Sequence, residues 1–406
     1  MNSSNFSQRL QSTFKTGDWV SARHIRFASL FYLFASGLFV AALFLVPNSF
    51  NPGAGKPLLT DFLSFWAAAA EAVAGRPELP FDTAEFQRLQ NQLTGTDSFF
   101  SFFYPPTFLL GILPFGLADF SVSFLLFNGL GLVCLWAMIR AVTGSGFIAL
   151  MLCAFPPVMN CVFHGQNAMF LAALLGFALL CLRQGHAVIA GILIGLMTVK
   201  PQLGVLIPIA LLADRRWITI LSAGVTTLAL AGLSYLVFGQ ETWLAFIEQI
   251  PMAGQTLQEG WVPWEKMISF YAGLRTMGVA HAPAQILQGL VAIGAGILVF
   301  WAWRSSASYA DKVMVLVPFS LLATPFALSY DLTLLVVPIA FWLAETEKQG
   351  ARPYEKSLLV ICVLLTAAGS SATKWTGVPV GFLAICAVAY IGVQRVLFQK
   401  GRLAAG

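Results

Sequence analysis

Several residues in this sequence carry a definite chemistry at positions where an ordinary structural role is also open to them. Asp61 opens the segment Thr60-Asp61-Phe62-Leu63-Ser64-Phe65-Trp66, just beyond a first long apolar run at 27–46. A carboxylate there can act as a general base, taking a proton from a hydroxyl. It can also serve the helix it starts, because a negative charge is stabilised at a helix N-terminus. Lys200 stands with Pro201 and Gln202 inside an apolar stretch. A cation at such depth is costly unless it faces protein, water or an anion, and a lipid phosphate is the natural anion. Its other role is to snorkel to the interface. The turn His164-Gly165-Gln166-Asn167 separates two apolar runs. Gly165 and Asn167 suit a link between helices, whereas His164 and Gln166 suit a bound polar ligand.

Tyr104 lies in Phe103-Tyr104-Pro105-Pro106, where paired prolines forbid helix until after Pro106. It either stiffens the start of the next segment or walls a pocket. Asp331 follows Ser329-Tyr330 after the break Thr324-Pro325-Phe326 and is either a first-turn acid or part of a site. The stretch 239–282 carries Trp243, Trp261, Trp264, Lys266 and Arg275. Tryptophans gather at membrane interfaces, but aromatic faces also line ligand pockets, and a cation here can meet phosphate. Asp82 reads differently. With Glu85 three residues on, flanked by Phe81 and Phe86, it fits a helix capping box with a hydrophobic staple.

The elements that hold these residues are set by composition. Of 406 residues, 58% are hydrophobic and 10% charged, against about 25% charged in a soluble domain. Apolar runs of about 20 residues, enough to cross a bilayer, recur from Phe27 to the C-terminus. They fall at 27–46, 120–140, 147–163, 166–182, 217–238, 284–303, 311–328, 331–344, 357–369 and 377–394, with a shorter pair at 187–199 and 201–213 split by Lys200-Pro201. The expected fold is therefore all-α, a polytopic transmembrane bundle of about 10–12 spans. Residues 1–26 read as a cytoplasmic tail and 27–406 as one transmembrane domain. The run 27–46 is too long for a signal-peptide core and is expected to be a retained anchor. The loop 47–104 contains two helical patterns. In the first, Phe62, Phe65, Trp66 and Ala69 share a face, Thr60 is the expected N-cap and Gly75 the expected stop; the second starts at Asp82. Both are expected to lie on the membrane surface. The stretch 105–118 is apolar but short, and is read as re-entrant.

Charge supports a side for each loop. With 105–118 re-entrant, sixteen basic and six acidic residues fall inside, seven basic and twelve acidic outside, as the positive-inside rule requires. Both termini are then cytoplasmic. The unusual residues, from Asp61 to Asp331, then share the outer face. The net charge of +5 comes from basic residues scattered at segment ends, which does not suit nucleic acid. All six cysteines lie inside apolar runs, so neither a disulfide framework nor a metal knuckle is expected. There is no P-loop, Rossmann fingerprint, zinc signature or nucleophile elbow, and no D-x-D pair. No cofactor or divalent metal is therefore indicated.

Taken in order, these pieces resemble glycosyltransferase family 87 over roughly residues 25–345. They are the acid after the first span, Ala69 to Asp82 as A-x5-G-x5-F-D, F-x-Y-P-P, H-G-Q-N, V-K-P-Q, Arg215-Arg216-Trp217 and P-F-A-L-S-Y-D. The resemblance implies a GT-C type of fold and a mannosyltransferase-like enzyme of the bacterial inner membrane, working on its extracytoplasmic face. It implies a polyprenyl-phosphate sugar, most often mannose, as donor and a lipid or glycan as acceptor, among membrane lipids. Asp61 maps onto the catalytic base of an inverting transfer. Lys200, with Lys266 and Arg275, would meet the donor phosphate. Tyr104, His164, Gln166, Asn167, Trp261, Trp264, Tyr330 and Asp331 would meet sugar and acceptor. The alternative is a lipid-sugar flippase or small-solute transporter, since a helix broken at Lys200-Pro201 also suits transport. Against it, no matching break repeats in the second half.

Overall fold

The computed structural model describes residues 11–19, 21–45, 61–97 and 99–404. The expected N-cap Thr60, the loop before it and most of the N-terminal tail lie outside these residues. Regular structure among the described residues is helical, apart from an isolated antiparallel bridge between Met267 and Leu328. In chain order the helices are α1 (Ala22–Leu45), α2 (Phe62–Val73), α3 (Thr83–Thr94), α4 (Pro106–Ile112), α5 (Phe120–Thr143), α6 (Gly146–Cys153), α7 (Pro156–His164), α8 (Ala168–Arg183), α9 (Ala187–Leu196), α10 (Ile207–Ala213), α11 (Trp217–Glu259), α12 (Phe270–Thr276), α13 (His281–Arg304), α14 (Tyr309–Ala323), α15 (Val336–Gln349), α16 (Glu355–Thr376) and α17 (Val380–Ala404).

Six of these helices (α1, α5, α11, α13, α16 and α17) are long and apolar enough to cross a membrane. A seventh span forms if α6 and α7, bent by 64°, count as one. The bend falls at Pro156-Pro157, where prolines remove backbone donors. The other expected spans are present as shorter helices, so the chain reaches its bundle with fewer full-length crossings than ten to twelve. Two expected span ends coincide with glycines that leave helical geometry inside long helices, Gly239 in α11 and Gly369 in α16. The first half of α11 leaves Leu221, Leu228 and Leu236 exposed. In water that face would be an aggregation site; in a bilayer it is lipid contact. This is a multi-pass membrane protein.

Close packing in lipid favours small residues between helices. Gly191 and Gly195 of α9 face Ser222 and Thr226 of α11 so tightly that a Cβ on either would lie 2.5 or 2.6 Å from the partner's Cβ. The segment that follows is the expected break. A 3-10 turn at Met197–Val199, Lys200 in an extended conformation and a second 3-10 turn at Pro201–Gly204 separate α9 from α10. Helix α4 and the 3-10 turn after it cover residues 106–117, about 18 Å of helix, well short of the roughly 30 Å hydrocarbon core.

The two helices of the loop before it differ from expectation in one respect. Helix α3 is one-sided, with Phe86, Gln90 and Thr94 buried. Asp82 caps it, accepting from Ala84 N and Glu85 N at 3.0 Å each, and Gly75, at φ +86°, stops the helix before it. Helix α2, in contrast, buries Phe62, Leu63, Ser64, Phe65, Ala67, Ala68, Ala69 and Glu71, which lie on more than one face. Protein therefore covers more of this helix than the single apolar face expected from the sequence. The short apolar segment 106–117 packs on the face that carries Trp66 and Ala69: Gly116 lies directly on the Ala69 backbone, and Trp66 Nε1 donates to Ala118 O at 2.9 Å. Around α2 gather Phe102, Tyr104, Phe108, Phe120, Phe124 and Phe127. Phe65 lies 5.0 Å from Phe108 and 5.1 Å from Tyr104, ring to ring. Such pairs contribute about 0.5–1.5 kcal/mol each beyond area, so the start of α2 is held firmly.

Candidate active site

The first turn of α2 opens into a cavity of about 930 Å³. Its walls come from α2, α3, the strand-like run 99–104, the α7–α8 turn, the Lys200 break, the second half of α11, the 261–266 loop and the segment 324–330. Of the twelve residues singled out from sequence, Asp61, Tyr104, His164, Gln166, Lys200, Trp261, Lys266 and Tyr330 line it together. They come from parts of the chain up to 269 residues apart.

Asp61 has helical backbone angles, yet its side chain makes no bond to the N–H groups of its own helix. It instead accepts from Gln166 Nε2 at 2.8 Å. Gln166 Oε1 accepts in turn from the Tyr104 hydroxyl at 3.3 Å. Burial, opposed by the Lys200 charge, pushes the Tyr104 phenol up to about 12, so it remains a donor. With a donor on one side and a carboxylate on the other, the Gln166 amide has a single satisfying orientation. Asn167, beneath this chain, is buried beside Tyr104 and does not line the cavity; neither atom of its amide has a well-formed hydrogen bond.

Gly165 is what lets the turn come so close. Its φ is +61°, and a Cβ there would lie 2.5 Å from Phe62 Cβ and 3.0 Å from the Phe124 ring. Gly165→Ala is expected to destabilise the protein by roughly 1–3 kcal/mol through overpacking and left-handed strain. It is also expected to pull Gln166 away from Asp61. Thermal melting checks the first effect, and an unchanged midpoint would contradict the packing described here.

Lys200 is buried at 5% exposure and donates to Asp331 Oδ1 at 2.7 Å; Asp331 is 1% exposed. The other Asp331 oxygen accepts from Leu328 N at 2.9 Å. The lysine ammonium also lies over the Tyr330 ring, 5.1 Å from its centre. Asp331 therefore stands behind the cavity wall as the partner of Lys200.

The tryptophan-rich loop is tied to the same wall. Met267 bridges to Leu328, and Ile268 N donates to Ala327 O at 3.0 Å. Trp264 and Arg275 brace it from behind and do not face the cavity. Trp264 packs under Gly260 and donates to Leu257 O at 3.1 Å. Arg275 donates to Val279 O and Gln258 O and stacks on Trp264 at 4.3 Å. Both terminal nitrogens are turned to backbone carbonyls, and the side chain does not line the cavity for which it was chosen. Among the described residues, no group of three or more His, Cys, Asp or Glu side chains is arranged to hold a metal ion.

The profile of glycosyltransferase family 87 matches residues 102–325. The matched stretch takes in the Tyr104 segment, the His164–Asn167 turn, the Lys200 break and the Trp261–Lys266 loop. The chain belongs to glycosyltransferase family 87. No curated protein and no solved structure matches it.

This membrane glycosyltransferase thus has a cavity built mostly from its family segment. Asp61 and Tyr330, outside the matched residues, also line the cavity, and Asp331 stands behind its wall. The glycosyltransferase also uses residues that sequence reading passed over. Gln90 brackets Phe100, donating to its carbonyl and accepting from its N–H at 2.8 Å each, which fixes the 99–101 wall. Asn160 donates to Ser329 Oγ at 3.0 Å. Gln288 accepts from Tyr271 N and donates to Leu322 O, tying α13 to the loop. The glutamines Gln285 and Gln288 inside the apolar run of α13 were the available signal for the last of these.

Proposed function

We propose that the enzyme moves a hexosyl unit, mannose being the first candidate, from a polyprenyl-phosphate donor to a hydroxyl of a lipid or glycan acceptor. The acceptor oxygen attacks the anomeric carbon while the bond from that carbon to the phosphate oxygen breaks. The acceptor proton passes to Asp61, and the bonding electrons leave with the phosphate. One base and one leaving group on opposite sides suffice for inversion. The observation that carries this reading is Asp61 itself, a carboxylate held by a neutral amide rather than a cation, facing a cavity with aromatic walls. Phe65, Phe99, Phe100, Phe103 and Phe326 offer the apolar surface that a lipid carrier and a sugar face need. The charge balance of the loops supports a site on the extracytoplasmic face of a bacterial inner membrane, with both termini inside.

The test is sugar transfer in proteoliposomes from a labelled polyprenyl-phosphate hexose to a lipid extract. Labelled product that requires the enzyme is expected. No product across a panel of polyprenyl-phosphate sugars would remove the donor class. The donor set around the cavity has one carboxylate without a cation partner, which suits metal-free transfer. An excess of chelator is therefore expected to change the initial rate by less than about twofold, whereas a metal-assisted displacement would lose orders of magnitude.

A further inference from the structure

Two lysines line the cavity, and their surroundings differ. Lys200 is buried, and its ammonium is committed to Asp331 at 2.7 Å. To grip a phosphate it would have to leave that carboxylate buried without a cation, or draw the phosphate towards a second negative charge. Lys266 is exposed, and among the described residues no carboxylate lies within ion-pair distance of it. Its backbone is nonetheless fixed. Lys266 N donates to Pro263 O and Met267 N to Trp264 O at 3.0 Å each, and the next residues are joined to 327–328. A compact charge on a flexible stem, carried by a rigid turn, suits capture of a phosphate whose position is set by its lipid. Asp61, the other uncompensated charge in the cavity, lies elsewhere on the wall, and His164 is within electrostatic reach of both.

We infer that Lys266 is the cation that binds the leaving phosphate, and that Lys200 with Asp331 is a neutral strut that positions the wall carrying Tyr330 and the 261–268 loop. This assignment rests on the polyprenyl-phosphate reading above. It assigns the phosphate to the 261–268 loop and the proton to the first turn of α2, two different elements of one cavity wall. It also gives the loop a substrate-binding role that its tryptophans alone do not.

Binding, not turnover, tests it. A short-chain polyprenyl phosphate without sugar and the matching polyprenol are titrated into purified enzyme in nanodiscs. The proteins are wild type, Lys266→Gln, Lys266→Arg and the double variant Lys200→Met/Asp331→Asn. Wild type is expected to prefer the phosphate. Lys266→Gln should weaken phosphate binding by about tenfold or more, the size of a lost charge-assisted hydrogen bond, and leave the alcohol unaffected. Lys266→Arg should restore most of the preference, and the double variant should keep it. Lys266 is exposed, so its variants test the site and not the fold. If Lys266→Gln retains the preference, the assignment is wrong while the donor reading stands. If wild type binds phosphate and alcohol equally, the donor reading fails and takes the assignment with it.

Discussion

Replacing Asp61 by Asn is expected to abolish sugar transfer and leave the fold in place. The substitution keeps shape and volume, and the new amide can still turn its oxygen to Gln166 Nε2, the partner that holds Asp61 now. What is lost is the ability to take a proton. General-base catalysis contributes about 10²–10⁴-fold, so the initial rate in proteoliposomes should fall by at least two orders of magnitude. Because Asp61 makes no capping bond to α2, its removal should move the melting midpoint little. Asp82 supplies the contrast. Asp82→Ala removes a real cap and should cost about 1 kcal/mol, with transfer retained. A folded Asp61→Asn protein working within tenfold of wild type would take Asp61 out of the chemistry.

These two aspartates show how far sequence reading reaches. Asp82 sits next to the residues that explain it, and its side chain caps the helix as expected, although Asp82 N donates to Leu79 O and not to Glu85. Asp61 is explained by Gln166, 105 positions away, and no local pattern reports that pairing. The span ends at Gly239 and Gly369 were legible because a break in a helix is a local event. The burial of both sides of α2 was not, because it depends on contacts with segments distant in sequence, such as Trp66 with Ala118 and Phe62 with Phe124. Arg275 was misplaced for a related reason: charge and neighbourhood were visible, but the backbone carbonyls of Val279 and Gln258 that absorb its donors were not.

The same limit hid a second buried charge cluster. Arg395 donates to Glu355 at 2.6 Å and to Asp311 at 3.0 Å, joining α14, α16 and α17. From sequence these are loop-end anchors on the cytoplasmic side. Helix α16 separates this cluster from the cavity end. Glu355 lies in its first turn, while Gly369–Ser371 and Thr373 line a small cleft that includes Ser329, next to Tyr330. The charges grouped by the positive-inside argument thus fall into two spatially separate sets. The set at the aromatic cavity includes Asp61 and Lys266, neither of them in an ion pair among the described residues, and it is the set to which the proposed transfer is assigned.

The Lys200–Asp331 pair carries the largest expected effect on stability. Both side chains are buried, and they lie 131 positions apart in sequence, so the pair ties the break after α9 to the segment before α15. Lys200→Met alone leaves Asp331 without its cation in a buried setting, a loss of about 3–5 kcal/mol when one partner of such a pair is removed. Adding Asp331→Asn removes the second charge, while the Asn oxygen can still accept from Leu328 N, the bond that Asp331 makes now. The double variant should therefore melt close to wild type, well above the single one, because replacing a whole buried pair is often near neutral. Transfer separates the two roles of the lysine. As a strut, Lys200 is dispensable once Asp331 is neutral, and the double variant should recover much of the activity that Lys200→Met loses. As a phosphate ligand it is not, and the double variant would be stable but inactive. Melting and initial rate measured on the same three proteins decide the matter. Recovered stability without recovered transfer would move the phosphate site from Lys266 back to Lys200.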